Sequence, residues 1–141
     1  MVLLICPRAT RASEGSEQVP LCDLVRNPAA YNGLRLSVKA VYSYGYEWQE
    51  LLCTECRAEG KIWATFQTDA VGRLRRQLNK APRDQGIVTG KFTGVFHASG
   101  GPFGDGTFRF EFVIEQAQQV RVLVRDWKTG LAEVGACKRA K

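Results

Sequence analysis

Residues 31–48 read YNGLRLSVKAVYSYGYEW, and this stretch decides the fold. After the turn at Asn32-Gly33, apolar and aromatic side chains occupy the even positions, with mostly polar or small residues between them. Because successive side chains of a strand point to opposite faces, this period of two predicts one long strand over 34–46 with one buried face. Gly45 predicts a bend near its end. So long and curved a strand is typical of a small β-barrel.

The rest of the chain adds shorter strands and two helical regions. Alternation predicts strands at 48–54, 61–67, 86–97, 107–115 and 119–124. A short helix over 19–31 stops or kinks at Asn27-Pro28, because the residue before proline disfavours the helical conformation. A second helix, capped by Thr68 or Asp69, runs to about Lys80. This order predicts a mainly β fold: a small closed OB-like β-barrel with a short N-terminal helix and one helix between strands three and four.

The opening of the predicted barrel resembles a known class of proteins. Residues 19–33 read VPLCDLVRNPAAYNG: a short helix, then asparagine-proline, two residues, tyrosine, any residue and glycine, followed by the alternating strand. This is similar to bacterial OB-fold proteins of the tRNA-anticodon-binding-like class, which are small and often exported. The resemblance covers roughly residues 19–124. It implies the barrel fold, and it carries no particular activity, because fold alone does not define function.

The two ends of the chain differ from its middle. Residues 1–18 join a short apolar run, MVLLIC, to a polar stretch, and are interpreted as a flexible N-terminal segment that is a candidate remnant of an export signal. Residues 19–124 are predicted to form the OB-like barrel domain, and 125–141 a basic C-terminal tail. No apolar stretch approaches the ~18 residues that cross a bilayer. We therefore expect an exported or periplasmic protein without a membrane-spanning segment, with a cytoplasmic location as the alternative.

The composition is that of a folded globular protein with a basic surface. The 141 residues suit one domain, and 45% hydrophobic with 24% charged residues is an ordinary globular balance. Twenty Lys and Arg against 14 Asp and Glu give a net charge of +6. A basic surface suits nucleic acid, anionic membranes or acidic partners, although a solvated basic surface is the simpler interpretation.

The cysteines carry the most specific chemistry in the sequence. Of five, Cys6 and Cys137 fall in the predicted flexible ends, which leaves Cys22, Cys53 and Cys56 in the folded part. Residues 53–56 form a C-x-x-C, which can close a small disulfide or supply two ligands of a zinc ion. A zinc site would need Cys22 and His97 to complete it. We expect paired thiols here, with no cofactor, and keep zinc as the alternative.

No catalytic constellation stands out. His97 is the only histidine, predicted on the outward face beside a glycine-rich hairpin loop at 99–106. That loop lacks the G-K-[ST] ending of a phosphate loop, and the chain has no G-x-S-x-G nucleophile elbow. A thioredoxin-like role does not fit a C-x-x-C in a β-rich chain. The sequence therefore predicts a protein that is not an enzyme.

Basic and aromatic residues on outward strand faces support a nucleic-acid hypothesis. OB barrels bind single strands by stacking bases on aromatic side chains within a positive groove. Trp63 is out of phase with the core residues of its strand and is the best candidate for an exposed aromatic. Tyr44, Tyr46 and Trp48 share the core phase and are expected to pack in the core or at the barrel end. The predicted ligand-binding residues are Trp63, Arg35, Lys39, Lys91, Arg109 and His97.

These observations favour a non-enzymatic binding or structural module of the cell envelope, with a protein or a small ligand as its partner. The first alternative is an OB domain that binds single-stranded or tRNA-like nucleic acid. The second is a zinc-stapled interaction module held by Cys22, Cys53 and Cys56.

Overall fold

A computed structural model of the chain describes residues 16–79, 81–124 and 137. Its strands and helices are β1 (Glu17–Gln18), α1 (Leu21–Arg26), α2 (Pro28–Tyr31), β2 (Arg35–Tyr44), β3 (Gln49–Leu52), β4 (Ile62–Phe66), α3 (Val71–Gln77), β5 (Gly86–His97) and β6 (Phe110–Val124). Short 3-10 turns lie at Arg57–Glu59 and Thr68–Ala70. Within this described part, no helix is long and apolar enough to cross a membrane.

Five strands close a barrel in the order β2–β3–β4–β6–β5, and β5 pairs back with β2. Neighbouring strands are antiparallel, except that β4 and β6 run parallel. In sequence, α3 lies between the third and fourth strands of the barrel, and α1 and α2 precede the first. The predicted fold class, a mainly β, closed, OB-like barrel with these helices, is confirmed. Outside the barrel, β1 pairs in parallel with the start of β2.

The predicted long strand forms β2, and its even positions face the main hydrophobic core. Leu36, Val38, Ala40 and Tyr42 are each at most 3% exposed. The largest buried side chains of the core come from β5 and β6: Phe92, Phe96, Phe110 and Phe112. Because the core side chains of β2 lie at every second residue, alternation in the sequence was enough to find them.

The outward face of β2 is also buried in places, so the prediction of a single buried face is wrong. Val41 lies at an odd position of β2, which points away from the main core. It forms a second buried cluster with Leu52 of β3 and Ile87 of β5, and all three are at most 2% exposed. On the same outward face, the Ser37 and Thr93 hydroxyls lie 2.7 Å apart in a hydrogen bond. Alternation assigns a residue to a face of the strand, but it does not say what covers that face.

Both helical regions are shorter than predicted. Residues 19–31 contain two helices, because Asn27, before Pro28, leaves the helical conformation with φ −135° and ψ 61°. The predicted cap of the second helix by Thr68 or Asp69 is wrong. These residues form a 3-10 turn, and α3 begins at Val71 with no side-chain cap. It ends at Gln77, before the predicted end at Lys80, which lies outside the described residues.

The last two predicted strands are one strand, β6. Gln119 has a positive φ of 54°, and shifts in register against β5 absorb the irregularity. At one shift, a side-chain carbon on Gly94 would lie 2.0 Å from the carbonyl oxygen of Val113. Glycine is therefore required at this position, where the backbone of β6 leaves no space for a side chain on β5.

The predicted ends of the chain fall mostly outside the described residues. The predictions for residues 1–15, 125–136 and 138–141 concern positions that the structure does not describe. Residues 17 and 18, assigned to the N-terminal segment from the sequence, pair with β2. Cys137, assigned to the tail, is tied to the barrel by a disulfide to Cys53.

Different elements close the two ends of the barrel. At the end that we call the α1 end, Leu24 and Val25 of α1 pack into the main core, beside the loop at 53–60. At the other, which we call the α3 end, Leu74 of α3 is fully buried. The hairpin turn at 45–48 and residues 78, 79 and 81–83 border the α3 end. This division places the candidate site described next.

Candidate functional site

A cleft of about 640 Å³ opens at the α3 end. We call it the α3-end cleft. Its walls come from the end of β2, the start of β3, the end of β4, the last part of α3 and the segment that follows α3. The lining residues are Tyr42, Tyr44, Gly45, Gln49, Phe66, Arg75, Leu78, Asn79, Ala81, Pro82 and Arg83. Its volume is that of a pocket for a small molecule.

Aromatic side chains form the floor and one wall of the α3-end cleft. The rings of Tyr42 and Tyr44 are stacked, with centroids 5.0 Å apart. Phe66 lies 6.0 Å from Tyr42 on the other side. Tyr42 is buried, whereas Tyr44 and Phe66 are half-buried, so their rings are partly accessible from the cleft. Accessible ring faces of this kind favour flat apolar groups.

Tyr44 is held in place by its hydroxyl, which donates a hydrogen bond to the carbonyl oxygen of Pro82. This bond links the end of β2 to the segment after α3, across the mouth of the cleft. Burial raises the pKa of Tyr44 above its ordinary value and raises that of Tyr42 far more strongly. Both phenols are therefore neutral at physiological pH and place no negative charge in the wall.

The turn that borders the cleft depends on Gly45. Its backbone N–H donates to the carbonyl oxygen of Trp48 at 2.9 Å, and the Trp48 ring folds back over it. A side-chain carbon at Gly45 would lie 2.0 Å from that ring. The turn leaves the Tyr46 side chain 93% exposed, so the prediction that Tyr46 packs in the core or at the barrel end is wrong.

Two exposed arginines supply the charge of the α3-end cleft. Arg75 comes from α3 and Arg83 from the segment that follows it. Among the described residues, neither guanidinium has a carboxylate within ion-pair distance, whereas Arg26, Arg35 and Arg57 each have one. The described lining contains no Asp or Glu. The cleft is thus positively charged and aromatic.

A shallower groove of about 900 Å³ lies next to this cleft and shares Asn79 and Pro82 with it. Its other lining residues belong to α3 and β6: Gln77, Ala117, Gln119, Val120, Arg121 and Val122. The Gln77 side-chain oxygen accepts a hydrogen bond of 2.7 Å from the Ala117 backbone N–H. That bond holds the end of α3 on β6.

Trp63, the predicted exposed aromatic, points outward but is half-buried. Its ring meets Phe108 edge-on at 5.0 Å, and Gly104 of the glycine-rich loop lies against it. Its neighbours across the sheet are Glu50 on β3 and Glu111 on β6. Trp63 is therefore flanked by two carboxylates in the barrel wall, and one of them, Glu50, is paired with Arg57.

A lysine, Lys61, lies near Trp63 and contacts Phe108, the ring that packs against Trp63. Lys61 Nζ lies 4.8 Å from the centre of the Phe108 ring and donates to the Thr107 hydroxyl at 3.3 Å. Asp105 accepts hydrogen bonds from the hydroxyl and the backbone N–H of Thr107, and these bonds lower the pKa of its carboxyl. The charged groups of this region, Asp105 and Lys61, are thus both hydrogen-bonded to Thr107, next to the glycine-rich loop.

The predicted basic residues of β2 and β5 lie on a different part of the wall. Lys39 is directly opposite Lys91 on the β2–β5 ladder. Arg35 Nε lies 2.7 Å from Glu115 Oε2, which neutralises one of the predicted cations. The strand register therefore does not place Lys39 or Lys91 next to Trp63.

The two remaining predicted residues lie towards the α1 end. His97 ends β5, is half-buried and pairs with Glu111 of β6. Arg109 is exposed, with its guanidinium 5.2 Å from the centre of the Phe110 ring. Both lie beside the glycine-rich loop, as predicted, and neither lines the α3-end cleft.

The cysteines form two disulfides, and neither is the bond within the C-x-x-C that the sequence predicted. Cys56 is bonded to Cys22 of α1, and Cys53 to Cys137. The expected small disulfide within residues 53–56 is wrong, because each cysteine of the motif pairs with a distant one. The zinc alternative fails for the same reason, since all three proposed sulfur ligands are oxidised. In the described part of the chain, no group of three or more His, Cys, Asp or Glu is placed to hold a metal.

The sequence analysis missed the α3-end cleft. It expected Tyr44 to pack in the core or at the barrel end, and it named no ligand-binding residue on the second helix or in the segment that follows it. One signal was present: the core-phase tyrosines continue to the last residue of β2, where a barrel must end in a floor or an opening. Comparisons with protein-family models, curated proteins and solved structures find no match for this chain.

Proposed function

We propose that this chain is an exported, non-enzymatic binding module that takes a small ligand in the α3-end cleft. The observation that carries the proposal is the pair of disulfides, which link residue 22 to 56 and residue 53 to 137. Disulfides persist in secreted and periplasmic proteins and are rare in the cytosol. An oxidised barrel of this size is therefore best suited to the cell envelope or the exterior.

The chemistry of the α3-end cleft supports binding rather than catalysis. Its described lining combines aromatic and aliphatic side chains with the amides of Gln49 and Asn79 and with two arginines. The raised pKa of Tyr44 leaves its phenol neutral at physiological pH, and its proton is committed to Pro82. Such groups orient and hold a ligand, whereas general acid–base catalysis calls for a group that titrates near the working pH.

A thiol assay in two compartments tests the export part of the proposal. The full chain is expressed with and without a periplasmic targeting signal, free thiols are alkylated, and peptide mapping identifies crosslinked pairs. We expect Cys22–Cys56 and Cys53–Cys137 in the targeted protein, and a lower urea midpoint for the cytosolic, reduced protein. Complete alkylation of all four cysteines in a folded, equally stable targeted protein would contradict the proposal.

A second candidate function is the binding of single-stranded nucleic acid, and one observation favours it. Lys39 and Lys91 face each other across two strands, which concentrates positive charge on the outward wall. If phosphates bind there, affinity for an oligonucleotide falls steeply with salt, and K39Q/K91Q reduces the slope by about two phosphate contacts. An affinity that is insensitive to salt, or unchanged by the double substitution, excludes this wall as the interface.

A further inference from the structure

The α3-end cleft combines a positive charge with an aromatic wall, and these two features define a class of ligand. Arg75 and Arg83 line the same cleft as Tyr44 and Phe66, and the described lining offers no carboxylate to neutralise them. Guanidinium groups are weakly hydrated, pair bidentately with carboxylate, sulfonate or phosphate, and also stack on flat rings. A ligand that satisfies both features is flat, apolar and anionic.

We propose that the α3-end cleft binds a small organic anion with a flat aromatic body, the ring against Tyr44 and Phe66 and the anionic group towards Arg75 and Arg83. The proposal rests on the proposed function, since it names the ligand class of the same cleft. The volume of about 640 Å³ fits a molecule of a few fused or linked rings. The amides of Gln49 and Asn79 supply further hydrogen bonds that fix its orientation.

The wall is preorganised for such a ligand. The Tyr44 ring is stacked on Tyr42 and tied to Pro82 through its hydroxyl, so little side-chain freedom is left to lose on binding. The neutral phenols add no repulsion towards an anion. The turn at Gly45, which borders the cleft, is packed against the Trp48 ring and closed by the hydrogen bond from the Gly45 backbone N–H to the Trp48 carbonyl oxygen.

Two matched probes separate the role of charge from the role of shape. One is 8-anilinonaphthalene-1-sulfonate, and the other is N-phenyl-1-naphthylamine, which has the same rings without the sulfonate. Binding of each to the oxidised full chain is measured by titration calorimetry at low and moderate salt. We expect the sulfonate to bind about tenfold more tightly than the neutral amine, as charge-assisted hydrogen bonds predict.

Substitutions then locate the effect. R75Q/R83Q is expected to remove the preference for the sulfonate and leave the affinity for the neutral amine unchanged. R26Q/R109Q, which removes two exposed arginines at the α1 end, is the control with the same change in net charge. Tyr44→Leu is expected to weaken both probes, and urea midpoints confirm that each variant is folded.

Each outcome has a defined meaning. If both arginine pairs lower sulfonate binding equally, the effect is general surface charge and the inference is overturned. If Tyr44→Leu weakens both probes but R75Q/R83Q changes neither, the cleft binds flat molecules, and only the anionic class is wrong. If neither probe binds, or Tyr44→Leu leaves both affinities unchanged, the proposed function of the cleft fails together with the inference.

Discussion

The α1 end and the α3 end of the barrel are closed by different kinds of interaction. At the α1 end, covalent bonds tie α1 and Cys137 to the loop at 53–60. At the α3 end, the closure is noncovalent: Leu74 packs into the core, and Tyr44 hydrogen-bonds to Pro82. The cleft lies at the end without disulfides. A barrel fixed covalently at one end can leave the other available for a ligand without losing its fold.

The largest expected effect comes from removing the covalent closure. C22A/C56A removes a bond between residues 34 positions apart, and C53A/C137A one between residues 84 apart. By loop-closure entropy each pair is expected to lower the free energy of unfolding by about 4 kcal/mol, slightly more for the longer loop. Urea denaturation measures the change.

The same variants sharpen the contrast between the ends. In conditions where C22A/C56A is still folded, its affinity for the naphthalene sulfonate should equal that of the natural chain. A large loss of affinity with unchanged stability would show that the disulfide at the α1 end shapes the cleft rather than the fold.

Leu74→Ala is expected to have the next largest effect, at the opposite end. The Leu74 side chain is fully buried, so its truncation leaves a cavity and costs about 2–5 kcal/mol of unfolding free energy. Because α3 carries Arg75, binding of the sulfonate probe should weaken as well. Val71→Ala, at a half-buried position of the same helix, is the control with a smaller expected loss. Equal urea midpoints for Leu74→Ala and the natural chain would show that α3 does not close the barrel.

Alkaline pH should weaken the α3 end through Tyr42. Burial raises the pKa of Tyr42 in the folded chain, so the folded state retains a proton that the unfolded state releases. The stabilising contribution is complete below the unfolded pKa of about 10 and is lost above it, at about 1.4 kcal/mol per pH unit. Urea midpoints at pH 8 to 11 test this. Tyr42→Phe should show a shallower decline, whereas Tyr46→Phe, at a 93% exposed side chain, is the control. Parallel declines for the natural chain and Tyr42→Phe would exclude this role.

The smallest effect is expected from the ion pair at the α1 end. Arg26 Nε lies 2.7 Å from Glu59 Oε2, with both side chains about half exposed. Solvent screens such pairs, so Arg26→Gln should leave the urea midpoint unchanged within error. A clear loss of stability in Arg26→Gln, which shrinks when added salt screens the ion pair of the natural chain, would show that charge as well as sulfur closes this end.

The barrel could be predicted from the sequence because its signal is local. Leu36, Val38 and Ala40 report their own face by spacing alone, and Gly94 marks a close approach of strands. The cysteine pairing could not be predicted in this way. Cys53 and Cys56 are three positions apart in sequence, but the fold pairs each with a distant cysteine, Cys56 with Cys22 of α1 and Cys53 with Cys137, and sequence spacing does not fix such connectivity.

The candidate site was harder to predict than the fold, for a similar reason. Arg75 and Arg83 belong to a helix and a segment without strand periodicity, and only the fold brings them beside Tyr44. For Trp63 the sequence predicted the direction of the side chain but not its surroundings. The side chain points outward, as its position in the alternation indicates, but it lies beside Glu111 of the parallel strand β6 and against Phe108, both far away in sequence.

The pairing of the cysteines has a consequence for how the protein is made. A chain that crosses a membrane from its N-terminus presents Cys22, Cys53 and Cys56 long before Cys137. During that interval Cys53 is a free thiol in the same tight turn as Cys56, whose backbone N–H donates to the Cys53 carbonyl oxygen. A thiolate so close to the Cys22–Cys56 bond can attack it and exchange partners. If the chain is exported, as proposed, the correct pairing of Cys53 is completed only when Cys137 arrives, and an isomerase would be needed most in the interval before that.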